Sequence, residues 1–139
     1  GEALAALHSA GTEVIAFGDL HLADLRTWRE EKMAASGIEL YFPLWGEPPA
    51  ALSAEIVRLG FHACLVCVQV ARMEVSHLGA NYDAALLAKL PPDVDPCGEY
   101  GEFHTFVYDG PGFSQAISFR PGEISEQDGH AWLDLLPFH

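Results

Sequence analysis

Residues 95–113, DPCGEYGEFHTFVYDGPGF, concentrate the side chains of this sequence that could do chemistry. Glu99 and Glu102 stand three apart, interleaved with Gly98 and Gly101. Asp95, Pro96 and Gly98 suit a tight loop, and Gly101 permits a positive φ or a close backbone approach. From such a loop two carboxylates can project into one pocket, where a pair attracts a cation, shares a proton or binds a metal. Glycoside hydrolysis also uses two carboxylates, but from separate elements, which argues against a glycosidase. Strand alternation turns Phe103, Thr105 and Val107 one way and His104, Phe106 and Tyr108 the other. Asp109-Gly110-Pro111-Gly112 then turns the chain. By residue type alone, a site and a solvated loop leading into a half-buried strand stand level.

Other candidates are thinner. Gly18 and Asp19 follow a predicted strand, where α/β folds collect ligand groups; the alternative is a turn in which Asp19 caps the next helix. Trp45, in FPLW beside Gly46, suits core or hinge packing, or else a ligand wall. Seven histidines show no HxH or HExxH spacing, and Glu74 and His77 lack a second pair, so no metal centre is predicted. Three cysteines make an odd count, against a disulfide framework. Cys64 and Cys67 lie in the apolar run FHACLVCVQV; alternation puts residues three apart on opposite faces, which predicts separate buried thiols.

The elements that must position these residues follow from periodicity. EALAALHSAG reads as the last turns of a helix stopped by Gly11, and TEVIAFGD as a short buried strand. LADLRTWREEKMAASG carries Leu22, Leu25 and Trp28 at helical spacing, an Arg26–Glu30 pair and a stop at Gly37. IELYFP is a strand, PPAALSAEIVRLG a helix entered through prolines and closed by Gly60, and FHACLVCVQV a long buried strand. That alternation predicts a parallel α/β sheet. After Val70 come a short helix, DAALLAKL, and three strands, EFHTFVYDG, QAISFR and HAWLDLL, which predict an antiparallel end. The fold class is therefore α/β, a parallel sheet followed by an α+β end with antiparallel strands, drawn as two domains, residues 1–46 and 47–139. Opening on a helix tail also suggests that earlier strands are missing and that the sequence is a fragment.

A chain of 139 residues with half its residues hydrophobic can build a real core. Its formal charge of −13, with only seven Lys and Arg, argues against nucleic acid or an anionic membrane as partner. No apolar run approaches the roughly 20 residues of a membrane-spanning helix. The first residues lack the regions of a signal peptide, so the expected location is cytoplasmic.

CGEYGEFHTFVYDGPGF resembles the C-terminal signature of the diphthine–ammonia ligase-like (ATP-binding domain 4) family. The signature maps onto Gly98, Glu99, Gly101, Glu102, Phe103, Thr105, Asp109, Gly110 and Pro111. The likeness continues upstream through FGDLHLADLRTWREEKMAASGIELYFPLWG and LGFHACLVCVQV. It implies a relative of the N-type ATP pyrophosphatases, with a Rossmann-like (HUP-type) nucleotide domain joined to a second α/β domain. It also implies ATP, with Mg2+, driving amide formation between a carboxylate acceptor, small or protein-borne, and ammonia; a homodimer is possible. Glu99, Glu102 and Thr105 are then the implied catalytic residues. Gly18 and Asp19 would be nucleotide contacts, and Gly98, Tyr100, Gly101, Phe103 and Trp45 substrate contacts. The family's phosphate-cradling Ser-Gly-Gly-x-Asp-Ser loop has no counterpart in these residues, and Ala80 stands where relatives often carry Arg. By themselves these residues are expected to be inactive with ATP. The alternative is a non-catalytic ligand-binding or assembly module.

Overall fold

The computed structural model describes residues 6–7 and 9–138. Of the helix predicted at the start, residues 1–5 and 8 lie outside the described residues, while 6, 7 and 9 are helical. The chain divides into two units, Gly1–Pro48 and Pro49–His139.

In the first unit β1 (Val14–Ala16) pairs in parallel with β2 (Glu39–Tyr41), and α1 (Ala23–Met33) is the crossover between them. The predicted i,i+4 pair forms, Arg26 Nε donating to Glu30 Oε1 at 2.8 Å. Leu20, Met33 and Ile38 are the buried apolar side chains here. The expectation of a buried first strand is corrected: Val14 is 48% exposed, and Tyr41 in the partner strand 56%. The single crossover helix between β1 and β2 covers at most one face of this parallel pair.

The second unit holds α2 (Pro49–Arg58), β3 (His62–Gln69), a 3-10 turn at Val75–His77, α3 (Ala84–Leu87), β4 (Phe103–Asp109), β5 (Phe119–Gln127) and β6 (His130–Pro137). Its four strands form one antiparallel sheet in the order β4-β3-β6-β5. The predicted continuation of the parallel sheet into FHACLVCVQV is thus corrected: both neighbours of β3 run antiparallel to it. Alternation of helix and strand could not reveal this, because β3's partners come from the hairpin-rich end of the sequence. The strand predicted at QAISFR is also shifted, running from Phe119 through Pro121 and Gly122 instead of starting at Gln115. A Pro is tolerated there because β5 is an edge strand.

One face of the sheet carries the core: Ala63, Leu65, Val68, Phe103 and Ala131 pack with Met73, Tyr82, Leu86 and Val94. Leu65 and Val68 are completely buried, each worth about 1.5–3 kcal/mol by transfer from water. A bulge at Val66 sets the other face. Cys64 pairs with Phe106 and Cys67 with His104, so the residue between Leu65 and Cys67 has no partner in β4. Both cysteines therefore face the same way, correcting the prediction of opposite faces. Both are buried, and burial raises both thiol pKa values. The far edge of β3 is shared. Residues 79–82 hydrogen-bond to Ala63 and Leu65, and β6 pairs only from Cys67 onward. His104 stacks on Trp132, ring centroids 5.9 Å apart, while Phe106 and Tyr108 meet Phe119 edge-on.

Candidate functional site

The loop from Asp95 to Glu102 is built on short-range turns. Asp95 Oδ1 accepts the Cys97 N–H at 2.7 Å, and the Asp95 carbonyl accepts that of Gly98 at 2.8 Å. The Gly98 carbonyl accepts the Gly101 N–H at 3.0 Å. Gly98 has φ 68°, and a Cβ there would stand 2.8 Å from the Phe103 carbonyl oxygen, so only glycine fits.

Glu102 closes the loop from inside. Its side chain is 0% exposed; Oε1 accepts the Asp95 N–H and Oε2 the Tyr100 N–H, each at 3.0 Å. Arg72, just past β3, brings Nη1 to 3.7 Å from Oε1 and donates the same nitrogen to the Asp93 carbonyl at 2.9 Å. A buried carboxylate is tolerable only with such donors and a counter-charge. The Glu102 backbone carbonyl accepts the Gln69 N–H at 2.8 Å, tying the loop to the end of β3. From the core side, the Tyr82 hydroxyl donates to the Pro96 carbonyl at 2.7 Å. Burial, with the charges of Cys97 and Asp95 adding to it, raises the Tyr82 pKa.

The two carboxylates therefore do different work, against the expectation that they share one pocket. Glu102 holds the backbone and presents no atom to solvent. Glu99 is half-buried near the tip, and Tyr100 beside it is 61% exposed. Cys97 donates its thiol to the Pro49 carbonyl at 3.4 Å. Burial first, then the negative charges of Asp95 and Glu99, push its pKa up to about 11. The loop is thus an electronegative rim suited to a cation and unsuited to an anion.

The remaining predicted residues are placed as follows. Phe103 is buried against Tyr82, ring centroids 6.1 Å apart, so its ring packs the core and is not a wall open to ligand. Thr105 is exposed on β4, opposite Leu65. Gly101 has φ 82° with open space around it. Gly18, Asp19 and Trp45 belong to the first unit. There Asp19 does not cap α1; its two oxygens receive Arg29 Nε at 2.7 Å and Nη2 at 3.1 Å. The Arg29 guanidinium lies 4.4 Å over the Phe17 ring, and that of Arg26 lies 4.7 Å over Trp45. Arg72 and Tyr82 escaped sequence reasoning. Arg72 carried one usable signal, being one of only seven cations in a chain of charge −13.

Residues 48–134, more than half of the chain, match the family model described as diphthamide synthase C-terminal domain. No curated protein matches the chain.

Proposed function

This chain belongs to the diphthamide synthase family, matching the model of its C-terminal domain, and from that premise we propose that it serves the acceptor side of an ATP-driven amide ligase. In the proposed reaction a substrate carboxylate displaces pyrophosphate from ATP to form an acyl-adenylate, and ammonia then attacks the acyl carbon and expels AMP. The observation that carries the acceptor role is the loop pinned by Glu102, which holds Glu99 and Tyr100 at its rim. A rim of carboxylate and aromatic ring favours an acceptor that bears positive charge beside its carboxylate. Thr105 and the turns at Gly98 and Gly101 complete the proposed acceptor surface.

The residues around Gly18 and Asp19 do not fit the phosphates of ATP. Arg29 is held by Asp19 and Arg26 by Glu30, and the engaged Asp19 carboxylate is not offered to Mg2+. No phosphate or metal step is therefore assigned to this chain's residues. The parallel β1–α1–β2 arrangement, with apolar Val14 and Tyr41 exposed, supports reading the first unit as part of a Rossmann-like sheet. In that reading Gly18, Asp19 and Trp45 flank the nucleotide.

The test is pyrophosphate release from ATP in the presence of ammonium and carboxylates that carry a cationic group, using the full-length ligase. Glu99→Gln and Tyr100→Ala are expected to raise the acceptor KM about tenfold while kcat changes little. Unchanged KM in both variants sinks the acceptor assignment. Absence of pyrophosphate release, with acceptor binding retained, favours the rival reading of a non-catalytic ligand-binding or assembly module. The engagement of Arg26 by Glu30 and of Arg29 by Asp19 is what speaks for that rival.

A further inference from the structure

A cleft of about 280 Å³ opens in the second unit, and among the described residues none of the 95–102 loop lines it. Val57 and Phe61 form apolar walls, while His62, Asn81, Asp83 and Tyr108 supply polar ends. Local structure fixes these groups. Asp83 Oδ1 accepts the Leu86 N–H at 2.9 Å and so caps α3. The Tyr108 hydroxyl donates to Asn81 Oδ1 at 3.3 Å, joining β4 to the segment that borders β3. The His62 and Tyr108 rings lie 6.1 Å apart.

No Lys or Arg lines this cleft, and Asp83 is a carboxylate, so an anionic ligand is disfavoured. The acceptors are the Asp83 carboxylate, the Asn81 carbonyl and the Tyr108 hydroxyl oxygen; what they fit is a group with several N–H donors and a positive charge. At about 30 Å³ per water-sized unit, the volume takes roughly nine non-hydrogen atoms. We propose that this cleft binds a small primary amine as its ammonium, the N–H bonds directed at Asp83, Asn81 and Tyr108 and the hydrocarbon body lying against Val57 and Phe61. No described residue of the acceptor loop lines the site, although Tyr82, which does, donates to the Pro96 carbonyl; its test does not depend on ligase activity.

Three probes sharing one phenethyl body decide it: phenethylamine, the neutral 2-phenylethanol, and the bulkier phenethyltrimethylammonium, which has charge but no N–H. Each is titrated into the 139-residue chain and followed by amide NMR. The amine is expected to shift the signals of Asn81, Asp83 and Tyr108, with the other two probes about tenfold weaker. Asp83→Asn keeps a capping side chain and is expected to weaken the amine roughly tenfold with only a slight change in thermal stability. Equal binding of amine and alcohol would reduce the cleft to an apolar crevice and overturn the proposal. So would an unchanged affinity in Asp83→Asn, shifts centred on Glu99 and Tyr100, or no binding of the amine at all.

Discussion

At the scale of single residues, the acidic pair three apart divides into a structural carboxylate and an accessible one. Glu102 accepts two part-buried backbone N–H groups beside Arg72, so removing it takes the acceptor from both donors. Glu102→Ala is expected to cost about 3 kcal/mol, and Glu102→Gln about 1–3 kcal/mol because its NH2 would face one of the donors. Urea denaturation checks both. Gly98→Ala is expected to lose about 1–3 kcal/mol in the same assay, from the left-handed φ and the Phe103 carbonyl 2.8 Å from the added Cβ. Cys97, with its pKa pushed up to about 11, is expected to alkylate at pH 8 roughly a hundredfold more slowly than an ordinary exposed thiol. Because its folded pKa lies above the unfolded value, its contribution to stability is full below the ordinary thiol pKa. That contribution is lost as pH rises from there through about 11. Stopped-flow alkylation and denaturation at stepped pH read the two effects.

At the scale of elements, two small irregularities decide what the strands present. The unpaired Val66 rotates β3 so that Cys64 and Cys67 share a face, and residues 79–82 occupy the stretch of β3 edge that β6 leaves free. A period-2 reading cannot see a bulge, since its cause is the register with β4, forty residues away in sequence. The one-turn helix α3 depends on its cap: Asp83→Ala is expected to cost about 1 kcal/mol, and Asp83→Asn only a few tenths. Thermal melts of the two variants test this. The helices were the most legible elements. Their apolar spacing, the Arg26–Glu30 pair and the glycines at 37 and 60, both at positive φ, are local signals.

At the scale of the whole molecule, the core of the second unit is drawn entirely from residues within Pro49–His139. Residues 49–139 expressed alone are therefore expected to unfold cooperatively and keep the dispersed NMR signals of the antiparallel sheet. A molten spectrum would show that the core needs more of the chain. A net charge of −13 also implies self-repulsion, so moderate salt is expected to raise the melting temperature by a few degrees.

What the sequence determined by itself was local and compositional. It set the helices, the antiparallel end, and the loop of turn residues around Glu99 and Glu102. The signature Gly98-Glu99-x-Gly101-Glu102 also pointed to the family that residues 48–134 match. Which of the two glutamates faces inward could not be read from spacing, because both sit in a loop with no period. Tertiary structure decided it: the backbone donors at Asp95 and Tyr100 and the guanidinium of Arg72 converge on Glu102, where a buried charge can be compensated, and leave Glu99 at the rim.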